Sequence, residues 1–406
     1  MSKKLVVAAM PFFERSCLAM ALLEDEQPVE FTVCPAEERG LLGNIYLGIV
    51  ENIQKNIGAA FVRIQPGLTG YLPLSEQTEA VRKIKGRESD AALRPGDELL
   101  VQVAKEAIKQ KQLRLTTNLS FSGKYLVLTT GKRTLNFSKK LDPEDKTRLK
   151  RLALSFMDTG SYGIIVRTNA AEATEEELRE ELSSLRSQLE RVVKYGVSRT
   201  CCSCLLQAPG PWIDTLKQYS FEDLTRIVTD QPEIFREINA YLEDNHAADK
   251  VSLKLYRDEM LPLHKLYRFS VTAESLNQKQ IWLKSGGFLV IEQTEAFVAI
   301  DVNTGKYSGK KDSKETFHRI NLEAAEEAAR QIRLRQLSGT ILIDFINMEQ
   351  AEHKKELLQF LQKRVSTDPV KTRVIDMTAL QIVEMTRTKE RKSFAEQLKM
   401  IRASGP

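Results

Sequence analysis

Between about Gly43 and Thr117, short runs that mix apolar and β-branched residues follow one another: IYLGIVENI, AAFVRI, GYLPL, ELLVQVAKEAI and LRLTT, separated by Gly, Pro and Asn. Runs of this length bounded by turn formers predict short strands, and five of them in close succession predict a small β-barrel. The charged stretch Thr78 to Gly96 reads as a loop inserted between two barrel strands. Beyond it, YLVLTT and GIIVRTN read as strands, while EATEEELREELSSLRSQLERVVKYG spaces its leucines at helical intervals after an acidic first turn. A second unit of α+β type is therefore expected after the barrel.

From about Pro211 to Leu266 the pattern is mainly helical, with SFEDLTRIV opening on Ser220 as a helix cap and KVSLKLYRD as a strand. KSGGFLVIEQTEAFVAIDVNTGKYSG then predicts a β-hairpin turning at Gln293 to Glu295, with its second strand ending at Asp301. Asn321 is expected to cap the amphipathic helix NLEAAEEAARQIRLRQL, which turns Leu322, Ala325, Ala329 and Ile332 inward and stops near Gly339. GTILIDFINM follows as a buried strand carrying Asp344. The fold class is thus α+β and multidomain.

Composition narrows the partners. The 406 residues are 42% hydrophobic and 28% charged, enough to bury a substantial core. No stretch approaches the roughly 18 apolar residues of a membrane span, so no membrane span and a cytoplasmic location are expected. The formal net charge is only +5, so a nucleic-acid surface would have to come from local placement of Lys and Arg. The five cysteines, Cys17, Cys34, Cys201, Cys202 and Cys204, make an odd number that argues against a disulfide framework. CCSC lacks a second ligand pair at zinc-site spacing, and free thiols are the default.

Candidate chemistry sits in IDVN and LIDFIN. Each places an acid directly after aliphatic residues, where an unpaired carboxylate would be costly to desolvate. If the two strands are neighbours, Asp301 and Asp344 converge, and a hard cation with oxygen ligands would compensate them. Magnesium needs only one or two protein carboxylates and leaves positions for phosphate and water, which is phosphodiester hydrolysis chemistry. Asn303 lies two residues beyond Asp301, on the same side of an extended segment, and would orient the carboxylate, the water or the phosphate. Lys306, Lys310 and Lys311 in GKYSGKK would meet a nucleic-acid backbone. The alternative is plain: an Asp at a strand end is commonly a turn or cap residue.

FVAIDVNTGKYSG, NLEAAEEAARQIRLRQLSGTILIDFINM and VEMTR together closely resemble the catalytic block of the ribonuclease E/G family. The resemblance extends upstream through GNIYLGIVENI, GAAFVRI, LTTNLSFSGKYLVL and GIIVRT, and so covers nearly the whole chain. It implies an RNase H-like subdomain split between residues 1–37 and 211–275, an S1 (OB-like) barrel over 38–118, a 5′-sensor over 119–210 and a DNase I-like catalytic subdomain over 276–406. It also implies endonucleolytic cleavage of single-stranded RNA in RNA processing and decay. Asp301 and Asp344 would be the metal-binding carboxylates, Asn303 their catalytic neighbour, and Mg2+ the cofactor, with Mn2+ as a substitute.

The resemblance assigns RNA contacts to Phe61, Tyr71 and Lys111, since S1-type barrels stack bases on exposed aromatics beside a positive groove. On the residues alone, a Phe after AA in a strand is more often core. The resemblance assigns sensing of a 5′-monophosphate to Gly123, Val127, Arg167 and Thr168, with Lys371 in VKTRV as a further basic contact. Arg suits the task because its planar fork binds phosphate bidentately.

Two departures from the family pattern stand out. No cysteine follows Cys204, so the family's CPxCxG zinc link is missing; neither zinc nor a zinc-linked dimer is expected, while homo-oligomerisation stays open. Asn347 stands where the family usually has a second Asp. These two departures motivate an alternative, a weakly active or inactive RNA-binding, ribosome-associated homologue; the S1 segment also has RIQPG in place of a more acidic turn. An enzyme acting on RNA–DNA hybrids is a third option, suggested only by the implied subdomain fold.

Overall fold

In the computed structural model the chain divides into two compact units, residues 1–38 with 221–406, and residues 39–220. The structure describes residues 2–36, 40–79, 81–83, 92–105, 112–156, 162–305 and 313–403.

The unit 39–220 contains the expected barrel. Strands Ile45–Gln54, Ala59–Gln65, Leu68–Pro73, Arg114–Thr116 and Glu98–Lys105 pair in that order, and Glu98–Lys105 returns to Ile45–Gln54, which closes the sheet on itself. Closure removes the free edges that a flat sheet would leave. Alternate residues such as Ala60, Val62, Ile64 and Leu72 fill the interior. Of the loop expected at Thr78 to Gly96, residues 80 and 84–91 lie outside the described residues; within it Arg82–Lys83 pairs with Glu98 and Leu99.

After the barrel, strands Ser120–Ser122, Leu126–Thr129, Gly163–Val166 and Leu135–Phe137 form a four-stranded sheet in that order. Helices Pro143–Phe156 and Glu175–Gly196 share a core with it through Leu149, Ala153, Leu178, Leu182 and Leu185. Glu175–Gly196 starts at a capping box in which Thr174 and Glu177 satisfy each other's backbone amides. The stripe Leu178, Leu182, Leu185 gives its buried face. Helix Pro143–Phe156 was not expected from the pattern, although Pro at its first position and acids behind it are ordinary start signals.

The other unit holds two sheets. Ser252–Leu255, Leu224–Thr229, Lys3–Phe12, Arg15–Glu24 and Gln27–Pro35 form the first, so N-terminal hairpins pair with strands from far along the chain. The two hairpin turns place Phe13, Glu14, Asp25 and Glu26 at positive φ, as two-residue turns between twisted strands require. Here SFEDLTRIV departs from expectation: Ser220 caps no helix, and Leu224–Thr229 is a strand. Leu224, Ile227 and Val228 have helical spacing, but Thr225, Ile227, Val228 and Thr229 are β-branched, and parallel partners on both sides complete the ladder.

The second sheet runs Gln280–Trp282, Phe288–Gln293, Phe297–Asn303, Gly339–Asp344, Ile382–Arg387, Thr372–Met377. Leu289, Ile291, Val298, Ile300, Ile341, Ile343, Val383 and Met385 turn to one face and pack on helices Ser313–Leu334 and Ala351–Val365. The intervening residues point to a face on which most positions are exposed or half-buried. The expected hairpin forms, its second strand continuing two residues past Asp301. Ala325 and Ile332 are buried as expected, with Leu322 and Ala329 half-buried. Asn321, however, is not a cap: the helix starts at Ser313, and Asn321 lies in its interior at 0% exposure.

Candidate functional site

Phe297–Asn303 and Gly339–Asp344 are adjacent parallel strands, and their register sets Asp301 directly opposite Asp344. Period-two alternation sends Ile300 and Ile343 into the core and both aspartates to the open face, where both are exposed. Neither carboxylate is therefore desolvated, contrary to what the aliphatic residues before each predict. What calls for compensation is their proximity: adjacent strands lie about 4.8 Å apart, and like charges directly opposite repel. Asn303 Nδ2 donates a 2.7 Å hydrogen bond to Asp301 Oδ2, which fixes one carboxylate oxygen. Two carboxylates, one of them oriented by an amide, form an all-oxygen donor pair suited to a hard divalent cation. Among the described residues no group of three or more His, Cys, Asp or Glu is arranged to hold a metal, so the aspartates stand as a pair. Such a pair fits magnesium, which keeps several waters, better than a cation needing a full protein cage. Lys306, Lys310 and Lys311 lie outside the described residues.

The segments leaving both aspartate strands are held by residues that the sequence reading did not single out for this purpose. Asn321 Nδ2 donates to the Ile346 carbonyl at 2.7 Å while its Oδ1 accepts from the Ile346 amide at 3.0 Å. Gln381 Oε1 accepts from the Met348 amide at 3.1 Å. Together they clamp the turn after Asp344, in which Asn347 is exposed. On the other strand, Gly305 has φ +63°, and a Cβ there would sit 2.2 Å from the Gly286 carbonyl oxygen, so only glycine permits this approach. Glu323 Oε1 in turn accepts from the Lys284 and Ser285 amides at 2.6 and 3.3 Å, steadying the same turn.

On the barrel, Phe61 and Tyr71 are directly opposite each other and half-buried, facing away from the interior that Ala60, Val62 and Leu72 fill. Their rings meet edge to face with centroids 6.4 Å apart. Tyr71 is in register with Arg114, and Arg114 with Lys105. Two aromatics followed by two basic residues thus make one row across the barrel's outside, and its basic half, Arg114 and Lys105, has no signal in the sequence pattern. Lys111 lies outside the described residues.

Arg167, Gly123 and Val127 come together in the four-stranded sheet. Arg167 donates from Nη1 to the Gly123 carbonyl at 2.8 Å and from its backbone amide to Tyr125 at 2.8 Å, and Val127 pairs with both Ser122 and Ile165. Thr168 shares a 2.8 Å hydroxyl hydrogen bond with Ser138. Below them Glu181 accepts from the amides of Lys124, Tyr125 and Leu126 at 2.7, 2.9 and 2.7 Å. Burial pushes its carboxyl above the usual range, although these amides and Arg167 pull the other way. A Cβ at Gly123 would sit 2.3 Å from the Glu181 carboxyl carbon, which gives that glycine a packing reason of its own. Lys217 is also buried, and desolvation lowers its pKa against the opposing pull of Asp214. Lys371 belongs to the other unit, where it is exposed beside strand Thr372–Met377.

Residues 120–390 match the family model for the ribonuclease E/G family, and residues 42–117 match that of the S1 RNA binding domain. The chain belongs to the ribonuclease E/G family. Ribonuclease G of Haemophilus influenzae is 33% identical over 388 residues, covering 92% of this chain and 78% of that protein. Ribonuclease G of Escherichia coli K12 is 31% identical over 365 residues, 88% of this chain and 74% of its own length. Ribonuclease E of Synechocystis is 32% identical over 403 residues, which is 98% of this chain but 58% of that protein. The chain therefore spans little more than half of some of its ribonuclease E relatives. Within the ribonuclease E/G family match fall Asp301, Asn303, Asp344, Arg167 and Arg387; the S1 match includes Phe61 and Tyr71.

Proposed function

We propose that this chain is an endoribonuclease that cuts single-stranded RNA in RNA processing and decay in the cytoplasm, with a divalent ion, Mg2+ or in its place Mn2+, held by Asp301 and Asp344. The observation that carries this reading is the register that sets the two aspartates opposite each other on an exposed sheet face. The ion, when bound, supplies Lewis acidity and neutralises phosphate charge. Asp301 and Asp344 contribute the carboxylates that hold it, and Asn303 keeps Asp301 oriented through its 2.7 Å hydrogen bond. The row Phe61, Tyr71, Arg114, Lys105 offers base stacking beside positive charge, the combination that single-stranded nucleic acid favours. Arg167 and Thr168, with the backbone of Gly123 and Val127, form the group proposed to read a 5′-monophosphate, and exposed Lys371 of the other unit is proposed as a basic contact to RNA.

Cleavage of a 5′-monophosphorylated, unstructured RNA with Mg2+ and with chelator tests the proposal. Asp301→Asn is expected to lower the rate by at least about 10²–10³-fold, the loss typical of removing one charge-stabilising group, while RNA binding persists. Full activity in that variant removes the mechanism. Binding without cleavage by the unaltered chain would favour a non-catalytic RNA-binding role. A 5′-hydroxyl substrate should be cut more slowly, and Arg167→Ala should narrow that difference.

A further inference from the structure

The row of the catalytic sheet next to the aspartates is aromatic. Trp282 lies opposite Phe288, and Phe288 lies opposite Asn303, so the three side chains stand side by side on the open face. The neighbouring row reads Gln280, Val290, Asp301, Asp344 and Ile382. Trp282 is 66% exposed, and its ring meets Phe288 with centroids 5.2 Å apart at a 59° tilt. A single exposed apolar residue is ordinary on any protein surface. This one differs in three ways: it is the largest side-chain type, it is braced by a second ring, and it sits two strands, about 10 Å, from the amide that orients Asp301. Its strand also ends in the turn that Glu323 holds through the Lys284 and Ser285 amides, so the indole stands on a fixed backbone. Exposed Lys284 follows two residues later.

We infer that Trp282, braced by Phe288, is a stacking platform for the base of the nucleotide that flanks the scissile phosphate of single-stranded RNA. The inference rests on the proposed cleavage at Asp301 and Asp344. A base has two apolar faces and an anionic backbone on one side, so a ring beside a cation-binding pair accepts the base while the phosphate turns to the aspartates. Stacking ignores base identity, because every base presents a π-face. The platform would therefore favour unpaired over paired RNA rather than one sequence over another. A duplex keeps its bases engaged with each other and offers none to the ring.

The chain has two tryptophans, Trp212 at 2% exposure and Trp282, so a change in indole emission on ligand binding reports chiefly Trp282. A short 5′-monophosphorylated oligouridylate titrated into the full chain should quench emission, and Trp282→Phe should lose that quench. In cleavage assays Trp282→Ala should raise KM by about tenfold or more, the loss falling in KM rather than kcat, and Trp282→Phe should recover most of it. An abasic nucleotide placed beside the scissile linkage should erase the difference between Trp282→Ala and the unaltered chain. Saturable binding without quenching overturns the inference, as does an unchanged KM in Trp282→Ala or an abasic substrate that leaves the difference intact. A change in sedimentation of Trp282→Ala with RNA affinity unaltered would assign the ring to contact between copies and also overturn it. A quench without any cleavage would leave the platform standing and sink the nuclease reading, so the two failures are distinguishable.

Discussion

Arg387, the arginine of VEMTR, is 4% exposed and faces the equally buried Asp368. Its Nε donates to Asp368 Oδ2 at 2.7 Å, its Nη2 to Oδ1 at 3.3 Å, and its Nη1 to the Leu337 carbonyl at 3.1 Å. The residue thus joins the strand Ile382–Arg387, the segment before Thr372–Met377 and the turn after helix Ser313–Leu334; its task is architectural rather than contact with RNA. Removing one partner of such a pair strands a buried charge, so Arg387→Ala is expected to cost about 3–5 kcal/mol. Chemical unfolding of the variant checks this, and a midpoint within error of the unaltered chain would contradict it. Sequence pattern marks Arg387 only as part of a motif. Nothing local in VEMTR announces that its partner stands nineteen residues earlier. Asp301 and Asp344 show the opposite case: their positions were legible, but the physical reason attached to them was not, because an acid after aliphatic residues reads as buried until the strand's two faces are told apart.

At the scale of elements, the site depends on how each aspartate strand is left. Asn321 illustrates what periodicity misses. An Asn before LEAAEEAA has every local feature of a cap, yet the helix runs through it from Ser313, and its amide instead pairs with both polar groups of Ile346. A side chain that satisfies a donor and an acceptor of a loop from inside a helix is a tertiary fact, set by a contact 25 residues away. Asn321→Leu would fill the volume and leave the Ile346 amide and carbonyl unpaired. The expected loss is about 1–3 kcal/mol of stability, the cost of leaving a buried polar group unsatisfied. Because Ile346 lies two residues beyond Asp344, cleavage should fall more than the unfolded fraction explains. Comparing the rate per folded molecule with that of the unaltered chain tests this; a variant that is merely less stable would show no difference. The strand Leu224–Thr229 teaches the same lesson, since its choice between helix and strand is made by partners on either side rather than by its own spacing.

For the whole molecule, the barrel was readable as five short runs close together in sequence, although the pairing of Leu68–Pro73 with Arg114–Thr116 rather than with the next run was not, and the joining of Lys3–Phe12 to Leu224–Thr229 leaves no trace in local pattern. The two units have separate cores, and the sheet that carries the exposed aspartates lies in one unit while the S1-type barrel lies in the other. A cation held by Asp301 and Asp344 binds only the folded form of its own unit, and a ligand at a hundred times its Kd stabilises the binding form by about 2.7 kcal/mol. The repulsion between opposed carboxylates adds to the effect, since a cation between them relieves it. Mg2+ is therefore expected to slow amide hydrogen exchange in Phe297–Asn303 and Gly339–Asp344 while exchange in the barrel strands Ile45–Gln54 and Ala59–Gln65 stays unchanged. In Asp301→Asn or Asp344→Asn the slowing should vanish at the same Mg2+ concentration. This readout needs no RNA and no turnover, so it separates ion binding from catalysis. Equal slowing in both units would mean a nonspecific salt effect, and slowing that survives both substitutions would place the ion elsewhere and leave the opposed aspartates without the role that their register proposes.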